Sequence, residues 1–291
     1  MTTSWKRCIP IVLAGLSCNG FAAVVATDNF DSYTAGVAVN GLNGGAGWTT
    51  AWSTPGATTV EVSSETLSYS SDGGTYGGGN SIMLTGDSDV NAAFRSVTVD
   101  TSGQDYYASF VFKIEGPTGT ETGNVEPLHG FTLAALGSNN AYDGNGSMGF
   151  LNPGSPRIEA RNGGQYSTLD IGALQYSTTY LMVVKYTGWD AVDGVYETTQ
   201  VWLNPSESDE FSVDPTITVS ATSDGTGSDQ YGGVGMRFLN SGAGGDHKLY
   251  MDDLRIGTSW SSVAIPEPGA SSFLLSIAVV GLIAISRRRM Q

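Results

Sequence analysis

Hydrophobic and polar positions alternate with a period of two through much of this chain. In Tyr107–Ile114, the residues Ala108, Phe110, Phe112 and Ile114 fall on one face. Further on, Val195, Glu197, Thr199, Val201 and Leu203 line one face, and Tyr196, Thr198, Gln200 and Trp202 the other. A two-residue period is that of an extended strand, whose side chains alternate across the sheet. The same reading predicts strands over Val60–Tyr69, Asn80–Leu84, Ala92–Val99, Tyr106–Ile114, His129–Leu136, Ser147–Leu151, Tyr180–Tyr186, Tyr196–Leu203, Ile217–Ala221, Gly232–Leu239 and Lys248–Ile256. Clusters of Gly, Asn, Asp and Ser separate them, and Gly73–Gly79 reads as a flexible hairpin tip. No segment between the two ends keeps a helical period. Many short strands with turn-rich joins predict an all-β fold, an antiparallel β-sandwich. A solenoid would need a fixed repeat length, and none is present.

The pattern changes at both ends. Lys6 and Arg7 precede the apolar stretch Ile9–Leu16, which runs into Phe21-Ala22-Ala23-Val24-Val25-Ala26. A basic start, a short apolar core and a small-residue exit are the parts of a secretory signal. Cleavage after Ala26 fits that pattern best, with Ala22 and Ala23 as alternative exits, so residues 1–26 are expected to be a signal peptide. At the other end, Pro266-Glu267-Pro268 is followed by an uncharged apolar run from Gly269 to Ile285, then Ser286 and Arg287-Arg288-Arg289. At ~1.5 Å per residue such a run is just long enough for a thin bilayer. The arginines behind it belong on the cytoplasmic side, which puts everything before Pro266 outside.

Composition alters this picture in two ways. Both cysteines, Cys8 and Cys18, lie in the leader, so the mature protein has no disulfide and no thiolate chemistry. Between Thr27 and Ala264 there remain eight Lys and Arg against twenty-seven Asp and Glu, a net charge of −19. Such a surface repels nucleic acid and anionic lipid, and its oxygen-rich, cysteine-free chemistry favours a hard cation such as Ca2+.

Two resemblances add to the reading. The Pro-Glu-Pro motif, membrane helix (269–286) and arginine cluster, in that order over 265–291, resemble the PEP-CTERM sorting signal of Gram-negative bacteria. That resemblance implies an exosortase-type membrane protease as processing partner, acting on Pro266, Glu267 and Pro268 ahead of Arg287, Arg288 and Arg289. It also implies a destination at the cell surface or in an exopolysaccharide matrix. Within 27–264, Tyr180–Tyr186 followed by Thr199–Pro205 is similar to a strand pair of LamG-like, concanavalin A-like jelly rolls. The opening Asp28–Tyr33 and the closing Leu249–Trp260 resemble the first and last strands of that group, which lie side by side. In that group first and last strands often share a structural calcium, which implies Asp28 or Asp31 with Asp252 or Asp253 as ligands.

Candidate chemistry is sparse. Glycoside hydrolysis needs two facing carboxylates, and no E-x-D-x-x-E strand is present; Glu159 and Glu197 stand alone in the sequence. No G-x-S-x-G elbow accompanies the two histidines, His129 and His247. A lyase would draw on His129 with Arg157 or Arg161 and a tyrosine. Asp87-x-Asp89-x-Asn91 and Asp143-x-Asn145-x-Ser147 space oxygen ligands as a calcium loop begins, but neither has a glutamate at position twelve. Aromatic rings are the usual platform for a pyranose face, and Trp48, Trp52 and Trp189, beside glycine-rich turns, are the candidate ligand contacts. The expected function is a non-catalytic surface or matrix protein that binds polysaccharide. The alternative is a secreted jelly-roll glycoside hydrolase or polysaccharide lyase.

Overall fold

The computed structural model of the protein describes residues 23–54, 60–71, 74–85, 90–98, 103–115, 127–134, 148–151, 157–162, 165–170, 177–192, 195–211, 218–222, 233–240 and 248–264. Among them are sixteen strands. In chain order these are β1 (Val24–Asp28), β2 (Val60–Ser63), β3 (Ser68–Ser71), β4 (Gly74–Gly77), β5 (Ser81–Thr85), β6 (Val90–Ser96), β7 (Tyr106–Glu115) and β8 (Pro127–Ala134). There follow β9 (Met148–Leu151), β10 (Arg157–Asn162), β11 (Gln165–Asp170), β12 (Thr179–Asp190), β13 (Val195–Leu203), β14 (Thr218–Thr222), β15 (Gly233–Asn240) and β16 (Lys248–Gly257). One short helix, α1 (Trp260–Val263), closes the described chain. None of the described helices is long and apolar enough to cross a membrane; the sorting residues Pro266, Glu267, Pro268 and Arg287–Arg289 lie outside the described residues.

Two antiparallel sheets face each other. The larger runs β14-β13-β12-β7-β16-β5-β2, with β1 also paired to β16; the smaller runs β11-β10-β9-β8-β15-β6. β1 and β5 share one edge of β16: β5 takes Lys248–Met251 and β1 takes Leu254–Gly257. First and last strands therefore lie side by side, and the expected sandwich is what the chain forms.

Between the sheets sits a core of Ile82, Leu84, Ala108, Phe110, Phe112, Met182, Val184, Val201, Leu249 and Met251, joined by Ala93 of β6 and by Val97 just after it. Alternation along β7 predicts one polar face, yet both faces are buried. Tyr107 and Val111 pack into a second apolar cluster with Leu181, Val183, Trp202 and Tyr250, on the outside of the larger sheet. That cluster is closed by Leu67, by Tyr76 of the β3–β4 hairpin, and by Trp260, Val263 and Ala264 after β16. The ring of Trp260 meets Trp202 edge-on at 5.2 Å between centroids. Tyr76 Oη donates to the Ala264 carbonyl, and Ser109 Oγ to the Val263 carbonyl (2.7 Å). Gly74–Gly77, expected as a flexible tip, is thus a paired strand that lays Tyr76 into a core.

β16 carries a bulge. Asp252 pairs with Val111, but Arg255 rather than Leu254 pairs with Ser109, so one residue is extra, and Asp253 takes φ 51°. A bulge re-phases the strand. Before it the odd-numbered Leu249 and Met251 face the inner core, and after it the even-numbered Leu254 and Ile256 do.

Candidate functional site

The four acids expected to share a cation separate into two settings. Asp28 faces the inner core and is 1% exposed. Its Oδ2 accepts from Tyr33 Oη (2.8 Å), Trp52 Nε1 (3.0 Å) and Arg95 Nη1 (2.6 Å), and its Oδ1 accepts from the Phe30 N–H (3.1 Å). Arg95 comes from β6 of the opposite sheet, so this buried ion pair ties the two sheets together across the sandwich. Its Nε donates to the Thr50 carbonyl and its Nη2 to Asn43 Oδ1, while the guanidinium lies 4.9 Å from the Trp48 ring centroid. Burial, with the Asp28 carboxylate beside it, pushes the Tyr33 hydroxyl up to about 12. With four donors on it, one of them an arginine, Asp28 is a structural anchor between the sheets.

Asp31, Asp252 and Asp253 gather instead along the Gly77–Asn80 turn. Asp253 accepts from the Gly77 N–H (3.1 Å) and is held by Arg255 through two bonds of 2.9 Å, Nε to Oδ1 and Nη2 to Oδ2. Asp31 Oδ1 accepts from the Asn80 N–H (3.1 Å), and the backbone passes so close that a Cβ at Gly79 would collide with that oxygen. Asp252 is 1% exposed and accepts from the N–H groups of Gly78 (3.1 Å) and Asp253 (2.6 Å). Burial drives its carboxyl up to about 7, and the neighbouring charges of Asp253 and Asp31 add to the rise, against the two backbone donors. The seam brings three of the four acids together, but among the described residues no three acidic, histidine or cysteine side chains are arranged to hold a metal ion. Asp87, Asp89 and Asp143–Ser147, the two loop candidates, lie outside the described residues, as does His247.

The tryptophans divide similarly. Trp52 is 1% exposed and packs on Phe30 (5.9 Å), and Trp48 is half-buried with its Nε1 donating to the Thr27 carbonyl. Trp48 and Trp52 lie against each other at 6.2 Å around Arg95. Their rings belong to the Asp28–Arg95 network, and that of Trp52 has no free face for a sugar. Trp189, on β12, is half-buried and meets Tyr196 edge-on at 5.0 Å.

The outer face of the smaller sheet is the surface the sequence did not single out. Buried Ala93 and Arg95 fix the inner face of β6. Directly opposed residues in antiparallel strands share a face, so continuous register carries this assignment across the sheet. Val234 and Met236 oppose Arg95 and Ala93; Phe131 opposes Met236 and then Met148; Phe150 opposes Ile158, which opposes Leu169. These positions form the inner face. Arg157, Glu159 and Arg161 of β10 therefore fall on the outer face, with Asp170, Thr168 and Tyr166 of β11 opposite them in that order. Gly149 opposes Glu159 from the other side, and Arg237 of β15 shares the face. Glu159 and Asp170 are diagonal neighbours, a relation that sets such positions roughly 7–8 Å apart. His129 of β8 pairs with Phe238 of β15, and the side chains of His129, Arg157 and Arg161, the three expected in a lyase grouping, lie outside what the structure describes. Among the described residues the outer face of the larger sheet is covered by β3, β4 and α1, while β10 and β11 lie close to β13 and β14.

No protein-family model and no curated protein matches the chain. Among solved structures it is similar to an endo-1,3-β-glucanase from Streptomyces sioyaensis, at 12% identity and a TM-score of 0.47 over 81% of this chain and 95% of that one. It is similar to arcelin-5, a lectin-like defence protein of Phaseolus vulgaris, at 13% identity and a TM-score of 0.38 over 69% and 92%. It is also similar to botulinum neurotoxin type C, at 9% identity and a TM-score of 0.44 over 82% of this chain. The chain spans about half the length of the neurotoxin chains it resembles, 48% for type C and 44% for the type D binding domain.

Proposed function

We propose that this is an exported, non-catalytic protein of the bacterial cell surface or matrix that binds polysaccharide on the outer face of its smaller sheet. The observation that carries the reading is the register of β10 and β11, which pairs Arg157, Glu159 and Arg161 with Asp170, Thr168 and Tyr166, six positions on one side of the two strands. Arginine and carboxylate groups pair with adjacent sugar hydroxyls through forked hydrogen bonds, and a tyrosine ring supplies a stacking surface. Arg157 and Arg161 are about 13 Å apart at a strand's rise per residue, enough to engage successive sugar units. Pull-down of the protein on a panel of insoluble bacterial polysaccharides tests this; retention on at least one is expected, and loss of retention in Arg157→Ala/Arg161→Ala.

The address rests on the two ends of the sequence. The leader and the Pro266-Glu267-Pro268 tail with Arg287–Arg289 support export, transient anchoring through the C-terminal helix, and processing by an exosortase-type protease. A calcium ion at the acidic seam would be held by Asp31 and Asp252, since Arg95 occupies Asp28 and Arg255 occupies Asp253. It would supply the positive charge that buried Asp252 lacks. A melting temperature unchanged by EGTA removes calcium from the account.

One observation favours a second, catalytic reading. Glu159 and Asp170 occupy diagonal register positions on one side of β10 and β11, and a pair of neighbouring carboxylates is what glycoside hydrolysis requires. Release of reducing ends from a polysaccharide, abolished in both Glu159→Gln and Asp170→Asn, would establish it over the binding reading.

A further inference from the structure

The start of the folded chain bears on where the leader is removed. Of the three exits, one lies inside a strand. Val24–Asp28 form β1, whose Val24 pairs with Gly257 and whose Ala26 pairs with Ile256. Ala26 is 1% exposed within the inner core, and Val25 packs against that core. On its other side β1 is covered by the Gly45–Trp48 loop. Thr27 and Ala46 exchange both backbone hydrogen bonds (3.0 and 2.8 Å), and a Cβ at Gly47 would collide with the Val25 carbonyl. Pairing reaches one residue further back: the Thr258 N–H donates to the Ala23 carbonyl (3.2 Å).

A cut after Ala26 would discard Val24, Val25 and Ala26, expose the Leu254–Gly257 edge of β16 and leave a hole beside Ile256. A cut after Ala23 would keep β1 but lose the Ala23 carbonyl that Thr258 binds. It would also place Phe21, a large ring, where a leader protease takes a small residue three positions before the scissile bond. A cut between Ala22 and Ala23 keeps every one of these contacts and sets Gly20 and Ala22 in the two small-residue positions. We propose that the leader is removed between Ala22 and Ala23, so that the mature chain begins at Ala23 and carries β1 whole. The proposal rests on the export reading above. Water adds across that peptide bond, Ala22 departing with the new carboxylate and Ala23 keeping the new ammonium group. The fold itself thereby decides among exits that the sequence pattern leaves open.

The test is expression of the full chain in a Gram-negative host, with intact mass and N-terminal sequencing of the exported product. A chain beginning at Ala23 is the expected result. A chain beginning at Val24 or Thr27 overturns the proposed position while leaving export standing. An uncut chain beginning at Met1 overturns the export reading, and the proposal with it. Ala22→Tyr replaces the small residue before the cut and leaves every residue of β1 unchanged. The uncut precursor should accumulate at least several-fold in that variant, and processing at the parent rate would contradict the assignment.

Discussion

Arg95 is the residue on which the two sheets depend most visibly. It is one of eight Lys and Arg between Thr27 and Ala264, and it is spent in the interior, on Asp28, rather than on the surface. Removing one partner of a buried ion pair leaves the other charge uncompensated, at a cost of about 3–5 kcal/mol. Arg95→Met should therefore destabilise the protein by that amount in denaturant unfolding. Asp28→Asn combined with it should cost less than the two single changes added together, because the stranded charge is gone. Asp252 predicts a pH effect of defined sign. Its carboxyl titrates near 7 in the folded protein and near 3.8 when unfolded, so the folded state holds the proton more tightly. Its contribution is unimpaired below about pH 4 and is lost as pH rises toward and past 7. Asp252→Asn should flatten the fall in stability across that window, and a slope unchanged from the parent would contradict the assignment. Neither role was visible in the sequence, where Asp28 and Asp252 looked alike as acids on abutting strands. Burial and the identity of the partner across the sandwich distinguish them, and both are long-range properties.

At the scale of elements, the period-two pattern located most of the strands, because a half-buried strand writes its burial into alternate residues. It failed where that premise fails. β10 and β11 carry Arg, Glu, Asn, Gln, Ser and Asp among few apolar residues, so no hydrophobic stripe marks them. β4 is Gly-Thr-Tyr-Gly and owes its strand form to pairing with β3 and to one buried ring, Tyr76. β1 was hidden by position, since its Val24-Val25-Ala26 continues the small-residue exit of a leader. The seam candidates were half legible: resemblance placed first and last strands together, but the β16 bulge decides which acids face outward. The Trp260–Ala264 clasp is an element with its own test. The indole N–H of Trp260 is buried with no hydrogen-bond partner among the described residues. Its value therefore lies in ring packing, which makes Trp260→Ala costly, by about 3–5 kcal/mol. Trp260→Phe loses no hydrogen bond and should cost well under half as much in the same unfolding assay.

For the whole molecule, the sandwich distributes its two outer faces unequally. The larger sheet is sealed by the β3–β4 hairpin and by Trp260–Ala264. Ala264, the last described residue, lies two positions before Pro266, so the proposed processing at Pro266–Pro268 would fall beyond both described cores. In the smaller sheet, register places three of the eight Lys and Arg positions, Arg157, Arg161 and Arg237, on the outer face. Of the other five, Arg95, Lys113, Lys185 and Arg255 sit in ion pairs elsewhere. The central claim is that this face binds polysaccharide, and one comparison tests it most directly. Retention on a bacterial polysaccharide panel is measured for the parent and for Arg157→Ala/Arg161→Ala, with melting temperatures taken alongside. The account predicts retention by the parent on at least one polysaccharide and a drop of tenfold or more in the variant, with melting unchanged. Equal retention by the two proteins, or no retention of the parent on any member of the panel, would contradict it.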